Sequence, residues 1–258
     1  MHVLFFLFFF SYLWTAPIDI VIPCHEKDRV KLRFAIAGAK RYVKNKRNIY
    51  VISKEPFTKD AIWIDEKKTP FSHLFFQTNA PYPIQRSGWT FQQLLKLYAF
   101  EIIPTLSENA LILDADTVFI NPVSFMNEEG KACYTLGGYP HQFYIDFAKK
   151  LIPQITSFSP NESPIAHHML FQKTVIESLF KEIRQIHEME PFEAFLKAYI
   201  GEVHPSEFEL YFNYAFMQTE QVLLRPLLWK DTRSLSLKNL RKYKKKGFHF
   251  VSNHHWMK

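Results

Sequence analysis

Two aspartates, Asp114 and Asp116, close the apolar run Ala110-Leu111-Ile112-Leu113, with one small residue, Ala115, between them. The run has strand length and reads as a strand buried on both faces inside an α/β sheet. On a strand, residues i and i+2 share a face, so the two carboxylates are expected to point the same way. Like charges at the end of a buried strand are costly unless something neutralises them. A divalent cation does so directly, and an all-oxygen donor set suits Mg²⁺ or Mn²⁺ better than Zn²⁺. Taken alone, the pair reads more simply as two acids ending a strand at a solvated turn.

Other residues of chemical interest recur along the chain. His25 and Asp28 follow the apolar stretch Ile18–Pro23, and Ser53 closes a second one, Asn48–Ser53. Gln92, Gln93 and Lys96 fall on one face of an expected helix, where the lysine is within reach of a phosphate. His167 and His168 are adjacent in an extended segment, Pro164–Phe171, so they point to opposite faces and only one can enter a given site. Ser206 and Glu209 have capping-box spacing, which gives Glu209 a structural role and leaves Glu207 without one. His254 and His255 stand near the end of the chain.

The expected elements place these groups. Ile18–Pro23, Asn48–Ser53 and Ala61–Asp65 read as strands, with a helix from about Val30 to Val43 between the first two. Strand, helix, strand at this spacing implies a right-handed crossover and a parallel sheet. Ligands of such sheets bind beyond the carboxyl ends of the strands, which brings His25, Asp28 and Ser53 toward an opening. Thr90 is placed to cap a helix carrying the stripe Phe91, Leu94, Leu95, Tyr98 and Ile102. Residues 66–88 give no clear pattern. Ala132–Leu136, Val222–Trp229 and Phe248–Val251 read as further strands. Tyr144–Leu151, 172–187, 191–200, a segment opening at Ser206, and Leu237–Lys246 read as helices.

Composition bounds the function. The chain has 258 residues, 47% hydrophobic and 17% aromatic, with 26 Phe, which is globular rather than disordered. The net charge of +7 favours anionic ligands or an anionic membrane surface, and no nucleic-acid-binding motif accompanies it. Cys24 and Cys133 have no metal-type spacing and read as buried free thiols. Residues 3–14, VLFFLFFFSYLW, are shorter than the roughly 20 residues of a membrane span. Their length suits a signal-peptide core, and small residues follow at Thr15-Ala16, but no Lys or Arg precedes them and Pro17 follows. Residues 1–16 are therefore expected to be a leader, either a signal peptide or a membrane anchor. A dense basic run, Arg241 to Lys246, is read as a solvated helix end favoured by the helix dipole, with lipid or phosphate binding as the alternative.

The segments VIPCHEKD at 21–28, GWTFQQLLKLYAF at 88–100, LILDADTVF at 111–119, the His167-His168 pair and SEFELYFNY at 206–214 occur in an order that resembles the nucleotide-sugar glycosyltransferases of the GT-A fold. The chain is most similar to bacterial members of a largely uncharacterised group of these enzymes. The resemblance spans nearly everything after residue 17. It implies one α/β domain over 17–258, with a Rossmann-like, mostly parallel central sheet flanked by helices, a donor half at 17–122 and an acceptor half at 123–258. It implies that Asp114 and Asp116 hold Mn²⁺ or Mg²⁺ together with His254 or His255. Donor contacts would come from Pro23, His25, Asp28, Ser53, Gln92, Lys96 and Asp114. His167 or His168 would line the acceptor site; in an inverting enzyme Glu207, or failing it Glu209, would act as base, and in a retaining one Glu207 would instead bind acceptor hydroxyls. The expected partners are a nucleoside-diphosphate sugar and a glycan, lipid or protein acceptor, with no nucleic acid. The leader would then be a cytosol-facing anchor, or an export signal if cleaved. Two further readings are a nucleotidyltransferase with a similar metal site and a non-catalytic membrane-surface binding protein. The absence of a Gly-rich phosphate loop weighs against the first of these.

Overall fold

Ile18–Pro23 is apolar except for Asp19 and forms strand β1, buried along its whole length. Helix α1 (Arg29–Tyr42) returns the chain to β2 (Lys46–Ser53), and β3 (Ile62–Asp65) follows. Helices α2 (His73–Asn79), α3 (Ser87–Leu97) and α4 (Ala99–Ile102) lead to β4 (Asn109–Leu113) and β5 (Thr117–Phe119). Then come β6 (Cys133–Tyr134), α5 (Gln142–Leu151), β7 (His168–Gln172), α6 (Lys173–His187), α7 (Pro191–Ala198) and α8 (Glu207–Gln218). The chain closes with β8 (Leu223–Leu224), β9 (Trp229–Asp231), α9 (Leu237–Lys245) and β10 (Phe250–Ser252). This computed structural model describes residues 16–79, 87–199, 204–218 and 222–254. The expected leader, apart from Ala16, and His255 lie outside the described residues.

The central sheet has the order β3-β2-β1-β4-β7. The first four strands are parallel and β7 is antiparallel to β4. The architecture is the expected α/β one, a mostly parallel sheet flanked by helices. β4 lies between β1 and β7 with all five residues buried, which is why it reads as an unbroken apolar run. A second sheet, β5-β10-β9, joins the segment after Asp116 to the end of the chain, and its strand β10 delivers Asn253 and His254.

Two glycines allow close backbone approaches on which the site depends. A Cβ on Gly38 would sit 2.6 Å from Phe119 O, so α1 can press against β5 only because that atom is missing. A Cβ on Gly137 would sit 2.1 Å from Ile165 O. Gly137 N donates to Ser163 O at 2.8 Å and so fixes the segment that leads into His167.

Helix α8 is buried on nearly every side, with Phe208, Leu210, Tyr211, Phe212 and Tyr214 each 2% exposed or less. A helix apolar all round belongs in the core, and the acids it carries there need partners. Ser206 caps it, accepting from Glu209 N at 3.2 Å.

Several expectations need correction. α3 begins at Ser87, so Thr90 lies buried within the helix instead of capping it. The stretch 222–229 is two short strands rather than one, with Pro226 between them unable to donate to a ladder. The expected strand Ala132–Leu136 is only two residues long, and residues 66–88, which gave no pattern, contain α2. Strand β4 stops at Leu113, so the two aspartates do not share a strand face. Thr117 N donates to Asp114 O at 3.0 Å, and this tight turn orients them.

Candidate active site and metal centre

The turn after β4 sends its two carboxylates to different partners around one hollow of about 340 Å³. Asp114 Oδ1 lies 2.6 Å from Lys96 Nζ, and Asp114 Oδ2 lies 3.7 Å from His167 Nδ1. Asp116 Oδ2 lies 3.2 Å from His254 Nδ1 and 3.9 Å from Lys31 Nζ. Lys31 also meets Asp28 Oδ1 at 2.9 Å and donates to Asn253 O at 2.8 Å, so α1 ties the start of the site to its C-terminal wall.

Lys96 is 5% exposed and carries a second carboxylate, Glu207 Oε1, at 2.5 Å. Its ammonium also sits 4.4 Å from the centroid of the Phe208 ring. One cation thus links α3, the β4 turn and the start of α8. Burial pushes the Lys96 pKa down, but Asp114 and Glu207 outweigh it and hold the group above the usual lysine range. Burial likewise pushes the Asp114 carboxyl up, and Lys96 with His167 brings it below the usual range.

His254 stands between two acids. Its Nδ1 faces Asp116, and its Nε2 lies 3.2 Å from Asp231 Oδ1 at the end of β9. Burial works to lower its pKa, and Asp116, Asp231 and Asp114 together raise it above the ordinary histidine value. The His167 and His254 rings are 4.3 Å apart. His167, Asp231 and His254 each offer a ligand atom, all within 4.8 Å of one another. Asp231 Oδ1 is buried and takes no hydrogen bond among the described residues. Two imidazoles and a carboxylate form a donor set suited to Mn²⁺ and other transition metals, and Mg²⁺ prefers oxygen. The chemistry of the residues therefore fits a divalent cation, with Asp116 beside the cluster.

His167 adopts a left-handed backbone with φ 61°, a costly state for a side chain of this size. Its carbonyl accepts from Asp114 N at 3.0 Å, and its ring enters the hollow. His168, the first residue of β7, goes the other way. Its ring packs against Phe119, Phe125 and Phe250, and burial pushes its pKa down to about 3. The structure does not bring His168 to the site. Nor does it bring Glu209, whose carboxylate accepts from Ser163 Oγ at 2.9 Å and Asn213 Nδ2 at 3.3 Å. Burial raises the Glu209 pKa against those two bonds. Ser53 is buried, with its hydroxyl donated to Glu55 O, and does not line the hollow.

A larger hollow of about 760 Å³ adjoins the first and shares Lys27, Trp89, Gln92 and Tyr144 with it. Pro23, Cys24 and His25, at the carboxyl end of β1, line its far side, and Gln92 Nε2 donates to Pro23 O at 3.5 Å. Burial, with Asp28 and Asp116, pushes the Cys24 thiol up to about 12, so it stays a thiol. The two hollows form one groove from His25 to Glu207 and His254.

Pro23, His25, Asp28, Gln92, Lys96, Asp114, Asp116, His167, Glu207 and His254 thus gather at one groove. Reasoning from sequence missed Asp231, Lys31, Trp89 and Tyr144. Asp231 ends a strand of only three residues and carries no local signal; pairing with β10 alone brings it beside His254.

The sequence model of a family described as a family of unknown function, DUF6492, matches residues 8–249. The chain belongs to this family. The match spans every groove residue named above except His254. Among solved structures, the apo form of mouse xyloside xylosyltransferase 1 is similar, with a TM-score of 0.48 and 13% identity over 94% of this chain and 99% of that one. No curated protein matches the sequence.

Proposed function

We propose that the protein is a metal-dependent glycosyltransferase, moving a sugar from a nucleoside-diphosphate sugar to a hydroxyl of a glycan, lipid or protein acceptor. The observation that carries this reading is the convergence of Asp116, His254, Asp231 and His167 at one end of a groove that starts beyond the carboxyl end of β1. Asp28, Asp114, Asp116, Asp231 and Glu207 outnumber the ammonium groups of Lys27, Lys31 and Lys96, so the site has a surplus of negative charge for a cation to balance.

Asp116, His254 and Asp231 would hold the cation, with His167 completing the set; the imidazoles favour Mn²⁺ over Mg²⁺. A divalent ion bound there supplies Lewis-acid stabilisation for the negative charge that develops on a diphosphate leaving group. The chain's own groups do the rest. The wider part of the groove, walled by Trp89 and Tyr144, accepts the nucleoside and sugar. In the reaction the bond from the anomeric carbon to the phosphate oxygen breaks, its electron pair leaves with the diphosphate, and a bond from the acceptor oxygen forms. The acceptor's proton passes to a carboxylate, and Glu207, which lines the groove beside Lys96, is the candidate we assign to that role. Lys96 is fully engaged by Asp114 and Glu207, so it positions these two acids instead of reaching for phosphate.

Titration with a panel of nucleoside diphosphates, with and without Mn²⁺, tests the reading. Binding is expected only with the metal, and it should fall at least about tenfold in Asp116→Asn, the size of loss expected on weakening a metal site. Metal-independent binding, or unchanged binding in both Asp114→Asn and Asp116→Asn, would overturn it. Pyrophosphate release from a nucleoside triphosphate would point to nucleotidyl transfer instead.

A further inference from the structure

A third hollow, of about 320 Å³, opens off the wide part of the groove and shares Cys24, His25, Glu66, Gly88 and Phe91 with it. It lies beyond the carboxyl ends of β1, β2 and β3, where Cys24, Lys54 and Glu66 line it. Phe57 and Phe91 give it apolar walls.

Glu66 stands directly after β3. The turn it opens is fixed from both sides. The Asp65 carboxylate accepts from Lys67 N at 3.0 Å, and Glu66 O accepts from Thr69 Oγ1 at 2.9 Å. The Glu66 carboxylate itself takes no hydrogen bond and no ion pair among the described residues. Lys54, the cation that lines the same hollow, is held by Glu26 at 3.0 Å. Burial, with Asp65 beside it, pushes the Glu66 pKa up, and Lys54 and Lys67 offset only part of this. A half-buried carboxylate without a donor leaves its lone pairs for the N–H groups of a ligand. His25 supplies the opposite character. Lys27 N donates to its Nδ1 at 3.2 Å, so in the neutral ring Nε2 carries the proton and is a donor.

The spacing of the sheet relates this hollow to the cation site. Glu66 and Asp114 both follow parallel strands at their carboxyl ends, and the order β3-β2-β1-β4 puts three strand spacings between them. At about 4.8 Å per spacing the separation is roughly 14 Å. A nucleoside diphosphate has a reach of this order from the edge of its base to its terminal phosphate. With the diphosphate at the cation site, the base falls where the wide part of the groove meets the third hollow.

We propose that Glu66 is the specificity-determining residue for the base of the donor and that it selects guanine. The proposal rests on the glycosyltransferase reading of the groove. Guanine presents two N–H donors side by side, N1–H and the 2-amino group, next to the O6 acceptor. One carboxylate accepts from both donors, and the Nε2–H of His25 suits O6. Uracil presents a single N–H between two carbonyl oxygens, which a carboxylate repels. Adenine and cytosine present an amino group beside a bare ring nitrogen, so a carboxylate there meets a lone pair. Phe57 and Phe91 offer apolar surface to the faces of the base.

The test is calorimetric titration of the full chain, in Mn²⁺, with guanosine, inosine, uridine, cytidine and adenosine diphosphates. Guanosine diphosphate is expected to bind at least about tenfold more tightly than the uridine, cytidine and adenosine compounds, the size of one hydrogen bond to a charged group. Inosine diphosphate keeps N1–H and lacks the 2-amino group, and it should bind roughly tenfold more weakly than guanosine diphosphate. Glu66→Gln should lower the affinity for guanosine diphosphate on the order of tenfold to a hundredfold and leave uridine diphosphate nearly unchanged. Equal or tighter binding of the uridine, cytidine or adenosine compound overturns the assignment of the base and leaves the glycosyltransferase reading standing. Undiminished binding of guanosine diphosphate by folded Glu66→Gln does the same. If that variant does not fold, the parent protein decides, and equal binding of inosine and guanosine diphosphates overturns the proposal. Binding of none of the five overturns both readings together.

Discussion

Lys96 Nζ meets Asp114 Oδ1 at 2.6 Å, in a position where the lysine is 5% exposed and Glu207 completes the contact from the other side. A buried ammonium between two carboxylates holds only while every member is present. Lys96→Met is expected to cost about 3 kcal/mol of stability, the lower end for breaking a buried pair, because Asp114 retains some solvent contact. Adding Glu207→Gln to that variant should recover part of the loss. Urea unfolding of the two single variants and the double variant measures the coupling; strictly additive losses would mean that the contact contributes nothing.

Asp231 is the groove residue least visible in the sequence. Asp231→Asn and His254→Ala are each expected to weaken Mn²⁺ binding at least about tenfold, read by electron paramagnetic resonance of the free ion. Unchanged affinity in Asp231→Asn would confine the ligands to Asp116 and the histidines.

Asp19 is fully buried at the far end of β1. It accepts from Arg47 Nε at 3.0 Å, Asn48 N at 3.0 Å and Ser107 N at 2.7 Å. Burial alone would raise its pKa, but these donors lower it below the ordinary value of 3.8. A carboxylate depressed in the folded state stabilises the protein above its unfolded pKa and loses that contribution as pH falls through the folded one. Asp19→Asn should therefore cost roughly 2 kcal/mol at neutral pH, with Arg47 half in water. Below about pH 4 the gap between the variant and the parent should close. A gap that stays constant across that range would contradict the assignment.

Gly38 gives a prediction about packing. Alanine there would press on Phe119 O, a backbone atom that cannot swing away. Gly38→Ala is expected to destabilise by about 3 kcal/mol, as overpacking does, despite the better helix propensity of alanine. Thermal unfolding would show it, and an unchanged or higher midpoint would mean that α1 can shift off β5 at little cost.

Local chemistry made a good part of this protein legible without coordinates. The run before Asp114 announced a buried strand because β4 is covered on both faces and needs no polar alternation. The adjacency of His167 and His168 led to the expectation that only one ring would enter the site, and that outcome holds, although the left-handed backbone of His167 just before β7, rather than extended-chain alternation, separates the two rings. Ser206 announced the start of α8 because a free backbone N–H there needs an acceptor. Choosing which histidine faces the groove, and which glutamate of α8 meets Lys96, required the packing of α3, β7 and α8 against one another. Asp231 and Lys31 reach the aspartate turn only through the pairing of β9 with β10 and the lean of α1 on β5. Contacts of that kind join residues far apart in the chain. A sequence states each partner's chemistry, but the distance between them is set by burial of the surfaces that carry them, and only the folded chain fixes that distance.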